Sequence, residues 1–241
     1  MAVLEARGLS VRFSGHLAVD EVDLSVDAGT IVGLIGPNGA GKTTTFNAMA
    51  GVQACTGSVH LDGVDISSAP PHRRARLGMN RTFQRLEVFG SMTAYDNLRT
   101  AAEISARAHR RSMRNASAIA DRIIDQIGLS AIAGRRADAL PTGQARLVEL
   151  GRALATEPKV LLLDEPASGL DEVETSRLAE VLGALAGEGM AVLLVEHDMD
   201  LVMQLCSKIC VLNFGEVIAT GTPEQVRADP DVQAAYLGVV V

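Results

Sequence analysis

The sequence predicts an α/β fold: a parallel-sheet core, a small antiparallel β lobe in front of it, and an inserted helical subdomain. Three observations predict it. From residue 159 strand and helix patterns alternate: KVLLL, a polar helix from 171, AVLLV, a second helix, then KICVLN. That alternation is the signature of a parallel sheet covered on both faces. The run TIVGLI at 30–35 is continuously apolar and feeds a glycine-rich turn, as a fully buried strand does. Between about 92 and 156 Ala and Arg are frequent and almost nothing reads as strand.

The opening third reads as strands. Val22, Leu24 and Val26 alternate with Asp23, Ser25 and Asp27 at period two. In GSVHLDGVDI (57–66), Asp62-Gly63 sits between alternating apolar residues, a hairpin signal. Near the end, Thr222-Pro223-Glu224-Gln225 offers a capping Thr, a Pro at the first helical position and a Gln at the third. No internal repeat or low-complexity linker interrupts the chain. Its 241 residues suit one domain with an inserted lobe. The expected bounds are 1–241 for the domain, about 85–156 for the helical subdomain and about 214–241 for a C-terminal extension.

Bulk properties exclude several classes. Hydrophobic residues at 47% and charged residues at 21% are a globular composition. A net charge of −7 argues against nucleic acid as the main partner, which needs a positive footprint. The longest apolar runs, near 160–163 and 189–195, fall far short of the ~20 residues of a membrane span. The start, MAVLEARGLS, lacks the basic and apolar regions of a signal peptide, so a soluble chain is expected. Cys206 and Cys210 are four apart, but no His or third Cys accompanies them. Reduced, buried thiols of a cytosolic protein are the expectation for these and for Cys55.

Two motifs carry chemistry on their own. Gly36-Pro37-Asn38-Gly39-Ala40-Gly41-Lys42-Thr43-Thr44 follows the buried strand and precedes a helical segment. Glycines at 36, 39 and 41 let the backbone wrap and aim N–H groups at phosphate oxygens, reinforced by the helix N-terminus. Lys42 is expected on the β- and γ-phosphates of ATP, and the Thr43 hydroxyl on Mg²⁺. The second motif is VLLLDEP (160–166), an apolar strand ending in two acids. Asp164 at its carboxyl end lies where α/β sheets bind ligands and is expected to hold Mg²⁺. Glu165 is expected to polarise the water that attacks the γ-phosphate.

With these residues in place the sequence resembles an ABC-transporter nucleotide-binding domain, and the resemblance covers essentially the whole chain. It implies a RecA-like P-loop NTPase core, ATP and Mg²⁺ as cofactors, and ATP hydrolysis coupled to transport. Phe13, in VRFSG, matches the aromatic that stacks on adenine. Gln84, in RTFQ, matches the glutamine that touches Mg²⁺ or the lytic water. His197, in VLLVEHD and 32 residues beyond Glu165, matches the histidine on the γ-phosphate. Ser168-Gly169-Leu170-Asp171 matches a loop that crosses a dimer interface. GMNRTFQRLEVFGSMTAYDNL and GTPEQVRADPDVQAAYLG look like the LivG-type ATP-binding subunits of branched-chain amino-acid importers. Similar cassettes serve urea, other amide-like solutes or lipopolysaccharide export. Implied partners are transmembrane permease subunits, a second ATP-binding subunit in a head-to-tail homo- or heterodimer, and an extracytoplasmic solute-binding protein. The implied location is peripheral, at the cytoplasmic face of the membrane.

One stretch departs from the family pattern. The signature usually reads Leu-Ser-Gly-Gly-Gln at the start of a helix that reaches the partner's ATP, whereas residues 140–144 are Leu-Pro-Thr-Gly-Gln. Gly143 keeps its N–H and Gln144 is present, but Pro141 has no hydroxyl, and Thr142 offers one a position late. A hydrogen bond to a charged group is worth about 1.5–3 kcal/mol. Either this is a tolerated variant, or the site completed by this signature is the weaker one and Pro141→Ser raises homodimer ATPase activity.

Other features have plainer meanings. HRRAR (72–76) and RAHRRSMR (107–114) could attract an anionic leaflet or a permease loop, but solvated helix faces are favoured. Met199 and Met203, four apart, are expected in the core. A DNA or ribosome clamp is the second functional class, yet Gln84 and Gly143 are only 59 residues apart, with no heptads between them. A regulator that no longer hydrolyses is the third, opposed by the intact Glu165 and His197.

Overall fold

The computed structural model describes residues 2–82 and 85–237. Strands β1 (Ala2–Phe13) and β2 (His16–Asp27) form a long hairpin closed by Ser14-Gly15, and β3 (Ile31–Ile35) leads into helix α1 (Lys42–Met49). Strands β4 (Thr56–Leu61) and β5 (Val64–Asp65) flank the Asp62-Gly63 turn, followed by α2 (Pro71–Leu77) and β6 (Met79–Arg81). Helices α3 (Ala94–Ala108), α4 (Ala116–Gln126) and α5 (Thr142–Leu154) come next. The rest alternates as the sequence predicts: β7 (Val160–Asp164), α6 (Glu172–Gly187), β8 (Ala191–Val195), α7 (Met199–Leu205) and β9 (Lys208–Asn213). The tail adds β10 (Glu216–Gly221), α8 (Pro223–Ala228) and α9 (Pro230–Leu237).

Two sheets result. One is antiparallel in the order β2-β1-β4-β5; the other runs β10-β9-β3-β8-β7-β6, parallel except for the β10 edge. Every residue of β3, β7 and β8 is buried, and successive residues point to opposite faces. Ile31, Ile35, Leu161, Leu163, Val192 and Leu194 join the core under the helices. Val32, Leu34, Val160, Leu162 and Leu193 face the other way, onto α1 and the antiparallel sheet. The second cover is thus a β lobe with one helix rather than a full helical layer. Met199 and Met203 pack against the first core. The Thr222 capping box forms as expected, with Gln225 reaching back to the Thr222 amide. No helix among the described residues is long and apolar enough to cross a membrane.

One expectation is corrected. HRRAR is not a uniformly solvated face, because Arg74 is 3% exposed. Its guanidinium donates to the carbonyls of Ser67, Ala69, Ala48 and Met49 at 2.5–3.1 Å. The last two carbonyls end α1, where backbone acceptors lack intrahelical partners. The side chain folds inward because it replaces those missing donors. RAHRRSMR, from Arg107 to Arg114, is largely exposed, as expected.

Candidate functional site

The sheet order sets the site. The carboxyl ends of β3, β8 and β7 are neighbours, so the residues following each strand meet along one edge. After β3 comes the glycine-rich loop. Gly36 has φ +150°, and a Cβ there would lie 2.1 Å from the Leu212 carbonyl oxygen, so no side chain fits. Gly41, at φ +100°, caps α1 without a side-chain hydrogen bond, leaving the helix amides open to an anion. Lys42 Nζ donates to the Gly36 and Pro37 carbonyls at 2.6 and 3.0 Å. Burial lowers its pKa, opposed by the nearby Glu165 and Asp164 carboxylates.

Loop residues 38–44, with His16, Leu17, Ala18, Glu165 and Phe214, line a cavity of about 300 Å³. A larger cavity, about 610 Å³, lies between β1, β2, β9 and β10 and contains none of the residues expected to do chemistry. Lys42, Thr43 and Glu165, expected from the sequence to bind phosphate, hold magnesium and activate water, all line the smaller one.

Asp164 ends β7 and is buried, with Arg81 as its cation at 3.7 Å. Burial raises its pKa, and Arg81 only partly opposes this. A buried carboxylate coupled to Lys42 of the loop is of the kind that can hold a cation. One or two protein oxygens, with phosphates and waters completing the shell, is the habit of magnesium. Arg81 also donates to Asn47 Oδ1 at 2.7 Å and stands 4.9 Å from the centre of the Phe46 ring. It links β6, β7 and α1, a role the sequence did not reveal.

Glu165 adopts φ +47°, with its amide donating to the Val195 carbonyl at 2.8 Å. Its Oε2 lies 3.9 Å from His197 Nδ1, near but beyond a direct hydrogen bond. A carboxylate held beside the loop and a histidine at the next strand end can orient water and contact an oxyanion. Glu196, which sequence reasoning passed over, is 1% exposed. Its carboxylate accepts from the Ala167 and His197 amides at 2.8 and 3.1 Å, joining the two strand-end loops. Burial raises its pKa against those hydrogen bonds.

Other expected residues lie elsewhere. Phe13 ends β1, 44% exposed, and does not line the loop cavity, although its cross-strand partner His16 does. Gln84 falls outside the described residues. Thr142, Gly143, Gln144 and Asp171 form a separate cluster. Pro141 caps α5 without a side-chain bond, and Glu174 compensates. Its Oε1 accepts from the Gly143 amide at 3.1 Å, while its Oε2 accepts from the Asp171 amide at 3.3 Å. Asp171 in turn caps α6 through the Glu174 amide at 2.8 Å. Two further aromatics touch the loop. Phe214 lines its cavity, and the Tyr236 hydroxyl is influenced by the Gly36 amide, which lowers a pKa raised by burial.

Comparisons with known proteins show the family and the fold. Residues 19–168 match the family described as ABC transporter, and residues 216–241 match the one described as Branched-chain amino acid ATP-binding cassette transporter. The high-affinity branched-chain amino acid transport ATP-binding protein BraF of Pseudomonas aeruginosa is 44% identical, covering 98% of each chain. LivG of Escherichia coli K12, of the same description, is 41% identical with 98% of each covered. The lipopolysaccharide export system ATP-binding protein LptB of Haemophilus influenzae is 38% identical over 99% of this chain and 98% of its own. A nucleotide-free ATP-binding cassette from an ABC transporter superimposes with a TM-score of 0.86 at 28% identity, covering 98% of this chain and 99% of its own.

Proposed function

The chain belongs to the ABC transporter family as an ATP-hydrolysing subunit, and from that premise we propose that it powers the import of branched-chain amino acids or similar small solutes. The observation that carries the hydrolytic part is Glu165 lining the same cavity as Lys42 and the loop. The import part is supported by the likeness to BraF and LivG and by the match over 216–241. The likeness to LptB supports a second reading, as the ATPase of a lipopolysaccharide-type exporter.

In this reading Gly36 to Thr44 hold the phosphates of ATP, and Lys42 leaves the two loop carbonyls for phosphate oxygens. Thr43 and Asp164, with Gln84, would hold Mg²⁺, which would supply charge neutralisation of the phosphates. Glu165 orients a water and takes its proton as the water oxygen bonds to the γ-phosphorus. The bond to the bridging oxygen breaks, ADP departs, and His197 steadies the γ-phosphate oxygens. Thr142, Gly143, Gln144 and Asp171 serve the ATP of a second ATP-binding subunit across a head-to-tail dimer, and Phe13 serves the base. The subunit works peripherally at the cytoplasmic face, against transmembrane permeases fed by a solute-binding protein. The helical stretch at about 85–156 is the inserted subdomain, and about 214–241 the C-terminal extension.

The test is Glu165→Gln. Turnover should fall by at least about 100-fold while Mg-ATP drives a stable dimer. Unchanged turnover would remove the hydrolytic role. Reconstitution with permeases encoded beside the gene should give ATP-dependent leucine uptake; lipopolysaccharide extraction instead would select the exporter.

A further inference from the structure

We propose that Phe214 forms an aromatic wall of the nucleotide cavity, packing against the base–ribose end of the bound nucleotide. The inference rests on the ATP reading above and extends it to a residue outside the phosphate loop.

The residue is costly where it stands. β9 and β10 are joined by the two-residue turn Phe214-Gly215, with Asn213 paired to Glu216. Both turn residues have positive φ, +46° and +89°. Such turns favour Asn, Asp or Gly at the first position, because a side chain with a Cβ crowds the backbone there. The ring is also 88% exposed, so it gains almost nothing from burial. Neither local conformation nor core packing accounts for a phenylalanine at this point.

Position does. The turn is fastened to the phosphate loop: Gly215 donates to the Ala40 carbonyl at 3.0 Å, and Asp20 donates to the Gly215 carbonyl at 2.9 Å. A Cβ on Gly41 would meet Gly215 Cα at 3.5 Å, and one on Gly215 would meet the Ala18 oxygen at 2.8 Å. The ring is thereby held at the rim of the loop cavity, with His16, Leu17 and Ala18 as the other walls beyond the phosphate-binding backbone. Amides and Lys42 suit the anionic end of a nucleotide. Leu17, Ala18 and the Phe214 ring offer apolar and aromatic surface beside His16, which a flat base and sugar can pack against. Phe214 lines this cavity itself, whereas Phe13, at the end of β1, does not, so Phe214 supplies a wall separate from the one assigned to Phe13.

The test replaces Phe214 with Asn, the residue such turns prefer, so the fold should be at least as stable and misfolding cannot imitate the effect. Binding of the non-hydrolysable β,γ-imido analogue of ATP is measured with Mg²⁺, beside tripolyphosphate, which has neither base nor ribose. Phe214→Asn should weaken the ATP analogue roughly fivefold or more, given the usual worth of base–aromatic stacking. Tripolyphosphate should bind unchanged, and Phe214→Trp should restore the analogue. Unaltered analogue binding by Phe214→Asn overturns the proposal, including the case where only dimer formation suffers. An equal loss for tripolyphosphate also overturns it, since the turn would then act through the loop. A wild-type protein that binds neither probe, or is indifferent to Lys42→Ala, would instead sink the ATP reading itself.

Discussion

Replacing Arg74 with Met removes every donor of the buried guanidinium while keeping most of its length. The Ser67, Ala69 and Met49 carbonyls lose their Arg74 partner, and the Ala48 carbonyl loses it too while keeping the Gly51 amide at 3.0 Å. Leaving a buried acceptor unsatisfied costs about 1–3 kcal/mol each. Relief of the cost of burying a charge offsets part of this, since burial already lowers the Arg74 pKa. The net loss is expected at about 3–5 kcal/mol, or roughly 6–20 °C in Tm for a chain of this size. Chemical denaturation of wild type, Arg74→Met and Arg74→Lys measures it. Lysine should recover part of the loss, because its ammonium reaches some of the same carbonyls. The damage should also appear as early exposure of α1, read by hydrogen exchange at Ala48 to Gly51. A loss under about 1 kcal/mol for Arg74→Met would refute the reasoning, because water would then satisfy those carbonyls equally well.

Three further outcomes follow from the geometry. Pro141→Ser gives α5 its own cap at a backbone conformation that serine accepts (φ −54°, ψ 155°), and Tm should rise by about 2–4 °C for roughly 1 kcal/mol; homodimer ATPase should rise with it, and a fall in either counts against the capping account. Glu149 is 6% exposed, and burial raises its pKa above the ordinary glutamate value, partly opposed by the Glu87 amide and Arg146. A raised folded pKa means the stabilising contribution is complete below the unfolded value and lost as pH rises through the folded one. Wild type should therefore gain on Glu149→Gln between neutral pH and about pH 4, and a flat or reversed difference in unfolding free energy would contradict it. Burial pushes the Cys206 thiol up to about 12 and Cys210 to about 11, so neither should label with iodoacetamide at neutral pH until the protein unfolds; rapid native labelling of either by mass spectrometry would show that the burial is wrong.

What the sequence revealed depends on how far apart in the chain the partners lie. β3, β7 and β8 were legible because burial on both faces leaves an uninterrupted apolar run. The Thr222 capping box and the Asp62-Gly63 turn were legible because each is completed within four residues. Arg74 was not, since two of its carbonyl partners lie 25 and 26 residues away and no local pattern marks the choice. Glu174 reaches Gly143 across 31 residues, so from sequence it is one more acid in the first turn of a helix. Glu196 reads as a solvated strand end until the Ala167 amide is found 29 residues away. Phe13 shows the reverse case: the motif is local, but whether its ring faces the cavity depends on the hairpin's geometry, and it does not line it.

Glu165 and Phe214 share a property that neither motif nor composition displays. Both are non-glycine residues with left-handed backbone, at φ +47° and +46°, and both line the phosphate-loop cavity. They follow β7 and β9, strands on opposite sides of the β3–β8 pair, so one local kink cannot explain both. Each such residue costs about 1–2 kcal/mol relative to a relaxed backbone. Rigid surroundings hold them there: the Glu165 amide is bonded to Val195, and the Phe214 turn to Ala40 and Asp20 through Gly215. The cost falls where a side chain must point into the cavity from a strand end that would otherwise aim it elsewhere. A carboxylate and an aromatic ring directed there by the same strained conformation, around a loop shaped for phosphates, is what one site acting on both ends of a nucleotide would require.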